Sequence, residues 1–145
     1  MDSKKTVLIN DDEPDMIYIL RSFLTDAGYE VLHTYGAESA LRKTLVSMPD
    51  LVVTDLAMPG MSGVHLIEIL KNDPRTKHIP IIAVTAFIWD NLSQAAGAVG
   101  CDGFVSKPFN SIRLLKEVRR VLDPDLPVSP AVATVSIRPT PKAFN

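Results

Sequence analysis

Five residues carry side chains that could do chemistry together: Asp11, Asp12, Asp55, Thr85 and Lys107. Each sits at the end of a short apolar run. Asp11 and Asp12 follow Val7-Leu8-Ile9-Asn10, and Asp55 ends Leu51-Val52-Val53-Thr54. Thr85 ends Pro80-Ile81-Ile82-Ala83-Val84, and Lys107 ends Gly103-Phe104-Val105-Ser106. β-Branched runs of this kind mark strands buried on both faces. In an open parallel sheet, ligands bind beyond the carboxyl ends of the strands, where the strand order reverses. Taken singly, each residue is explained as a helix cap or an ordinary polar turn residue. Their coincidence at four strand ends asks for more.

Three carboxylates at one edge repel. Two unit charges about 4 Å apart cost about 4 kcal/mol at an effective dielectric of about 20. Either protons are held at raised pKa values or a cation sits between the acids. An all-oxygen donor set suits a hard divalent ion, Mg²⁺ by default in the cytosol, which keeps positions open for water and phosphate oxygens. Lys107 adds a point charge for an anion and Thr85 a hydroxyl donor. That combination is equipped for phosphoryl transfer with a carboxylate as nucleophile, giving an aspartyl-phosphate.

The elements that must position these groups alternate. After the first strand, Pro14 opens a helix with Met16, Leu20, Phe23, Leu24 and Ala27 on one face, and Gly28 is placed to end it. A strand over 30–35 and a helix over 37–47 follow, the latter with Ala40, Leu41, Leu45 and Met48 as its apolar side and Pro49 as its stop. After the third strand, the Pro-Gly and Ser-Gly pairs of 56–63 punctuate a loop, and Ser62 can cap a helix to Asn72 with Leu66, Ile67 and Leu70 inward. A fourth helix over 90–99 is rich in alanine and poor in large apolar residues. Asn110 can cap a fifth, reaching Leu122, with Ile112, Leu115, Val118 and Leu122 inward. Five strand–helix alternations predict an α/β fold, a doubly wound parallel sheet with right-handed crossovers and helices on both faces.

The 145 residues are enough for one domain with a proper core, here residues 1–122. From Asp123 onward, prolines at 124, 127, 130, 139 and 141 predict an extended, mostly disordered tail or linker over 123–145. A net charge of −2 gives no electrostatic case for nucleic acid, and no effector pattern such as a helix-turn-helix follows residue 122. The single cysteine, Cys101, has no disulfide or zinc partner in the sequence pattern and reads as a small buried or half-buried thiol. No secretory apolar segment opens the chain, and the apolar stretch 79–89 is broken by Pro80 and too short to span a bilayer. The expected location is the cytoplasm, away from membranes.

Four segments, Val7-Leu8-Ile9-Asn10-Asp11-Asp12-Glu13-Pro14, Thr54-Asp55-Leu56-Ala57-Met58-Pro59-Gly60, Val84-Thr85-Ala86 and Lys107-Pro108-Phe109, stand in this order and at these separations. Together they resemble the receiver domain of two-component response regulators, of the single-domain chemotaxis-regulator kind, over about residues 4–122. The resemblance implies a flavodoxin-like five-stranded sheet of order 2-1-3-4-5. It implies that Asp55 accepts a phosphoryl group from a phosphohistidine on a sensor histidine kinase or a phosphotransfer protein. Asp11, Asp12, Asp55 and the Ala57 backbone carbonyl would hold Mg²⁺, Lys107 would pair with the phosphoryl group, and the Lys107–Pro108 bond would be cis. Thr85 and Phe104 would be the switch, repacking the surface of the fourth helix, fifth strand and fifth helix for a downstream protein. Such a protein is no turnover enzyme. At most it catalyses its own phosphorylation and dephosphorylation.

The chain departs from the family pattern at a few places. Asn10 stands where an apolar residue is usual, and Phe104 where tyrosine is common. Ala57 and Phe87 are small or apolar at positions that tune phosphate lifetime in the family. Phe87-Ile88-Trp89 reads as a loop partly packed on the core rather than a partner-docking patch, and Arg113, Lys116, Arg119 and Arg120 as a solvated helix face rather than a site for an acidic partner. His33, His65 and His78 lie far apart and are assigned no role. Two competing readings remain. One is a phosphorylation-independent scaffold with a vestigial pocket. The other is a flavodoxin-like cofactor protein or small phosphatase, disfavoured because the acidic first loop lacks glycine and would repel a nucleotide phosphate.

Overall fold

The computed structural model describes residues 4–86 and 91–123. Strands β1 (Thr6–Asn10), β2 (Glu30–Thr34), β3 (Leu51–Asp55), β4 (Ile81–Thr85) and β5 (Gly103–Ser106) alternate with helices α1 (Pro14–Asp26), α2 (Ala37–Ser47), α3 (Gly63–Asn72), α4 (Asn91–Ala98) and α5 (Ser111–Leu122). All strand pairs are parallel, in the order β2-β1-β3-β4-β5. This is the doubly wound α/β architecture and strand order expected above. The order reverses beside β1, so β1 and β3 sit side by side and open the crevice between their carboxyl ends.

The period-2 alternation of strands sorts the core into two layers. Val7 and Ile9 of β1 point to one face with Val53, Val84 and Val105, where α1 and α5 deliver Ile17, Leu20, Leu24, Leu114 and Val118. Leu8 points to the other face with Val52, Ile81 and Ala83, covered by α2, α3 and α4 through Ala40, Leu66, Ile67, Leu70 and Ala96. Each fully buried Leu or Ile contributes roughly 1.5–3 kcal/mol of transfer free energy. That burial holds the five strand ends along one edge of the sheet.

Local chemistry fixes the helix ends. Pro14 is the first helical residue of α1, and Gly28, at φ +98°, lets the Gly28 and Tyr29 amides turn back to the carbonyls of Thr25 and Leu24. Ser62 Oγ accepts the His65 amide and Asn110 Oδ1 the Arg113 amide, so both anticipated caps form.

Three helix faces are rotated from expectation. In α5, Ile112 is 76% exposed, while Leu114 and Glu117 face the sheet. In α1, Ile17 joins the core, with Met16 and Phe23 only packed against it. In α2, Thr44 is buried because its hydroxyl donates to the Ala40 carbonyl at 2.7 Å, and Met48, in the left-handed region at φ 48°, turns outward. The tail over 124–145, the segment Phe87-Ile88-Trp89 and Asp90 lie outside the described residues. Among the described residues, no helix is long and apolar enough to cross a membrane.

Glu117 explains the phase of α5. β5 is an outer strand, so an amide on its open side has no neighbouring strand to bond. Glu117 Oε2 accepts the Phe104 amide at 3.0 Å, and its carboxylate is paired by Arg120 Nε and Nη2 at 3.1 and 2.9 Å. Arg113 stands 3.9 Å away, so two residues of the basic helix side are spoken for within the molecule. Burial raises the Glu117 pKa, but the Arg120 hydrogen bond and charge, the Phe104 amide and Arg113 outweigh it and hold the group below the usual 4.5. Its contribution is therefore present in full above pH 4.5 and lost as the pH falls through the lower folded value. Glu117→Gln is expected to cost about 1–3 kcal/mol in urea unfolding at neutral pH. The gap between variant and wild type should shrink in acid; a gap independent of pH would contradict the ion pairing.

Candidate functional site

The site is built from the loop ends of β1, β3, β4 and β5. Asp11, just beyond β1, is buried. Its Oδ1 accepts the Glu13 amide at 2.9 Å, an Asx turn that leads the chain into Pro14 and α1. Its Oδ2 accepts Lys107 Nζ at 3.1 Å. Asp55, the last residue of β3, accepts the Ala57 amide on Oδ1 at 3.2 Å and Lys107 Nζ on Oδ2 at 3.3 Å. Lys107 thus bridges two carboxylates that are 44 residues apart in the chain, from a β5 loop remote from both. Side-chain exposure is 16% for Lys107, 1% for Asp11 and 10% for Asp55, so little water screens the trio.

Asp12 is exposed at the mouth. One oxygen each from Asp11, Asp12 and Asp55 lies within 4.8 Å of the others. Ala57 stands in the exposed loop after β3, tied by its amide to Asp55. Thr85, buried at the end of β4, accepts the Lys107 amide on its carbonyl at 2.8 Å, which places the two residues side by side. The Lys107–Pro108 bond is cis. Phe104 is half-buried on the α4 face of the sheet, close to Gly97. The structure therefore brings Asp11, Asp12, Asp55 and Lys107 into one cluster, with Thr85 next to Lys107 and Phe104 one layer behind.

The electrostatics are those of a crowded acid site. Burial pushes the Asp11 carboxyl above its ordinary 3.8; the Glu13 amide and Lys107 pull it down, and Asp55 pushes it up again. Burial alone would lower Lys107, but hydrogen bonding to Asp11 and the charges of Asp11 and Asp55 raise it above 10.5. One ammonium against three carboxylates leaves a net negative cavity. The donor set is all oxygen, close enough for joint coordination and short of positive charge. It fits a hard divalent ion such as Mg²⁺.

Three contributors escaped sequence reasoning. Glu13 Oε1 lies 3.9 Å from Lys107 and adds to the acidic field. Gly63 begins α3 directly behind the site: a Cβ there would lie 2.2 Å from the Asp55 carbonyl oxygen and 2.8 Å from Leu56 Cα. Only glycine permits that approach, whereas the sequence marks Ser62 as a helix cap and Gly63 as loop punctuation alone. The third is Asn10. Its type was noticed as unusual, yet nothing in the linear pattern names its partners.

Comparison with known proteins agrees with this architecture. The family model described as the response regulator receiver domain matches residues 7–119. The chain is 33% identical over 136 residues to response regulator GtcR of Aneurinibacillus migulanus, a match covering 91% of this chain and 55% of GtcR. It therefore spans little more than half the length of that relative. It is 31% identical over 118 residues to the polar-differentiation response regulator DivK of Brucella anthropi, covering 81% of this chain and 96% of DivK. Among solved structures, chemotaxis response regulator CheY4 of Vibrio cholerae is similar at a TM-score of 0.78 and 32% identity, covering 83% of this chain and all of that one. With the strand order, the acid cluster and the family match in agreement, the chain belongs to the response regulator receiver domain family of two-component signalling.

Proposed function

We propose that this protein is a phosphorylation-controlled switch whose phosphoacceptor is Asp55. The observation that carries the reading is Lys107 joined at once to Asp11 and Asp55, with Asp12 completing an acid cluster. Asp11, Asp12, Asp55 and the Ala57 carbonyl would hold Mg²⁺, whose charge, when bound, offsets the acids and steadies the phosphoryl oxygens during transfer. The donor is a phosphohistidine on a sensor histidine kinase or a histidine phosphotransfer protein. An Asp55 carboxylate oxygen attacks phosphorus; the O–P bond forms as the P–N bond breaks, and the electron pair returns to the imidazole nitrogen.

The remaining roles follow from position. Lys107, already at both acids, follows the new charge and pairs with the phosphoryl group. Thr85 moves to donate its hydroxyl to a phosphoryl oxygen, and Phe104 turns inward behind it. The surface formed by α4, β5 and α5 then changes for a downstream protein, with no direct contact to nucleic acid or membrane. The protein works in the cytoplasm and turns over free phosphoesters negligibly.

The test is incubation with a small acyl phosphate, with Mg²⁺ or with a chelator, followed by intact mass and fragment mapping. One phosphoryl group on Asp55, formed only with metal, is the expected result. An adduct elsewhere, or labelling indifferent to metal, overturns the assignment. No adduct at all favours the phosphorylation-independent scaffold.

A further inference from the structure

Asn10 closes β1, where its side chain is fully buried between the strand ends of β2 and β3. A buried amide is costly unless both ends are bonded. Here they are, and in one direction. The Thr34 hydroxyl donates to Asn10 Oδ1 at 2.8 Å, Asn10 Nδ2 donates to Thr54 Oγ1 at 3.1 Å, and the Thr54 hydroxyl donates to the Asp55 carbonyl at 2.9 Å. Asn10 Nδ2 also reaches Met58 Sδ at 3.4 Å. Each hydroxyl has one proton: with that of Thr54 given to the Asp55 carbonyl, its oxygen is left as the acceptor for Asn10 Nδ2, so the chain of donors runs in one sense.

We infer that Asn10 is a positioning residue of the acid site, holding the loop from Asp55 to Met58 from beneath. The inference rests on the proposed function, because what the loop carries is the Asp55 carboxylate and the Ala57 carbonyl. The two ends of the loop backbone are otherwise gripped by the Ala57 amide on Asp55 and by the Gly63 amide on the Leu56 carbonyl at 3.0 Å. Met58, between them, is anchored by Asn10. An apolar residue in place of Asn10 leaves Thr34 and Thr54 without this partner and lets the segment carrying Ala57 settle elsewhere.

The experiment uses the full chain as wild type, Asn10→Val, Thr54→Val, Thr54→Ser and the remote control Leu122→Ala. Mg²⁺ affinity is measured by calorimetry, and amide hydrogen exchange is followed at Ala57 and Met58 against amides of β4. Both valine variants are expected to bind Mg²⁺ about tenfold to a hundredfold more weakly. They should also exchange faster at Ala57 and Met58 by more than their global stability accounts for. Thr54→Ser keeps the hydroxyl and should stay near wild type, and Leu122→Ala should lose stability without loss of affinity. Should Asn10→Val prove too unstable, Thr54→Val, which keeps the side-chain shape, carries the same prediction. Valine variants with wild-type affinity, or exchange rising uniformly through the sheet, overturn the inference and leave the proposed function standing. If wild type itself binds no Mg²⁺, the proposed function fails, and loop exchange alone decides whether Asn10 holds the loop.

Discussion

Asparagine at position 55 is expected to abolish acyl-phosphate labelling while making the metal-free protein more resistant to urea. Loss of labelling follows from chemistry: the amide oxygen lacks the anionic lone pair that attacks phosphorus. The stability gain follows from charge. Wild type crowds three carboxylates around one ammonium, with oxygens within 4.8 Å of each other. Removing one acid leaves Asp11 paired with Lys107 and relieves the mutual repulsion. After the lost hydrogen bond from Lys107 is set against it, a gain of about 1 kcal/mol is expected, the usual sign for a site in which function conflicts with stability. Mg²⁺ should reverse the ranking. At a hundred times its dissociation constant it stabilises the form that binds it by about 2.7 kcal/mol, and Asp55→Asn, one ligand short, should gain less. Urea titrations with and without Mg²⁺ check this. Persistent labelling of Asp55→Asn, or a variant less stable without metal, would count against the charge argument.

The opposite substitution should have the opposite sign and a larger size. Lys107→Met keeps the length of the side chain and removes its charge, leaving Asp11 and Asp55 facing each other in a largely buried cavity. Breaking one side of such a pair costs about 3 kcal/mol, most of it the desolvation of the abandoned anions. The pH dependence carries a distinct signature. Asp11 already sits above 3.8 in the folded protein, so between 3.8 and its folded value the folded state holds a proton that the unfolded state has released. Its burial therefore costs stability increasingly as the pH rises through the folded value. Loss of Lys107 raises that value further. The gap between Lys107→Met and wild type should be widest at neutral pH and close as Asp11 takes up its proton in acid. Equal gaps at neutral pH and near 4 would mean that Lys107 contributes packing rather than charge.

How far the sequence could be read depends on whether an element follows a period or a partner. The five strands follow a period, and their apolar runs announced the sheet and its functional edge. Asp11, Asp12, Asp55 and Lys107 were legible for the same reason: each terminates such a run, and parallel strands bring their ends together. Helix α5 follows a partner. No apolar period marks Glu117, yet the Phe104 amide on the open side of β5 and the Arg120 guanidinium make it an interior residue. An apolar period alone turns Ile112 inward, where the structure leaves it exposed. Thr44 likewise joins the interior of α2 outside any apolar period, since its bond to the Ala40 carbonyl hides its polarity. The Asn10 relay joins three strands and the Gly63 contact joins α3 to the end of β3, and no spacing rule within one element reaches them.

Phe104 belongs to two layers at once. Its ring lies with the residues under α4, while its peptide nitrogen is moored across the sheet to α5. Glu117 thereby acts as an axle for the residue: its bond holds the Phe104 backbone and leaves the ring untouched. In the proposed switch, a signal crossing the sheet at this point would travel as a rotation of that aromatic side chain rather than as a shear of β5.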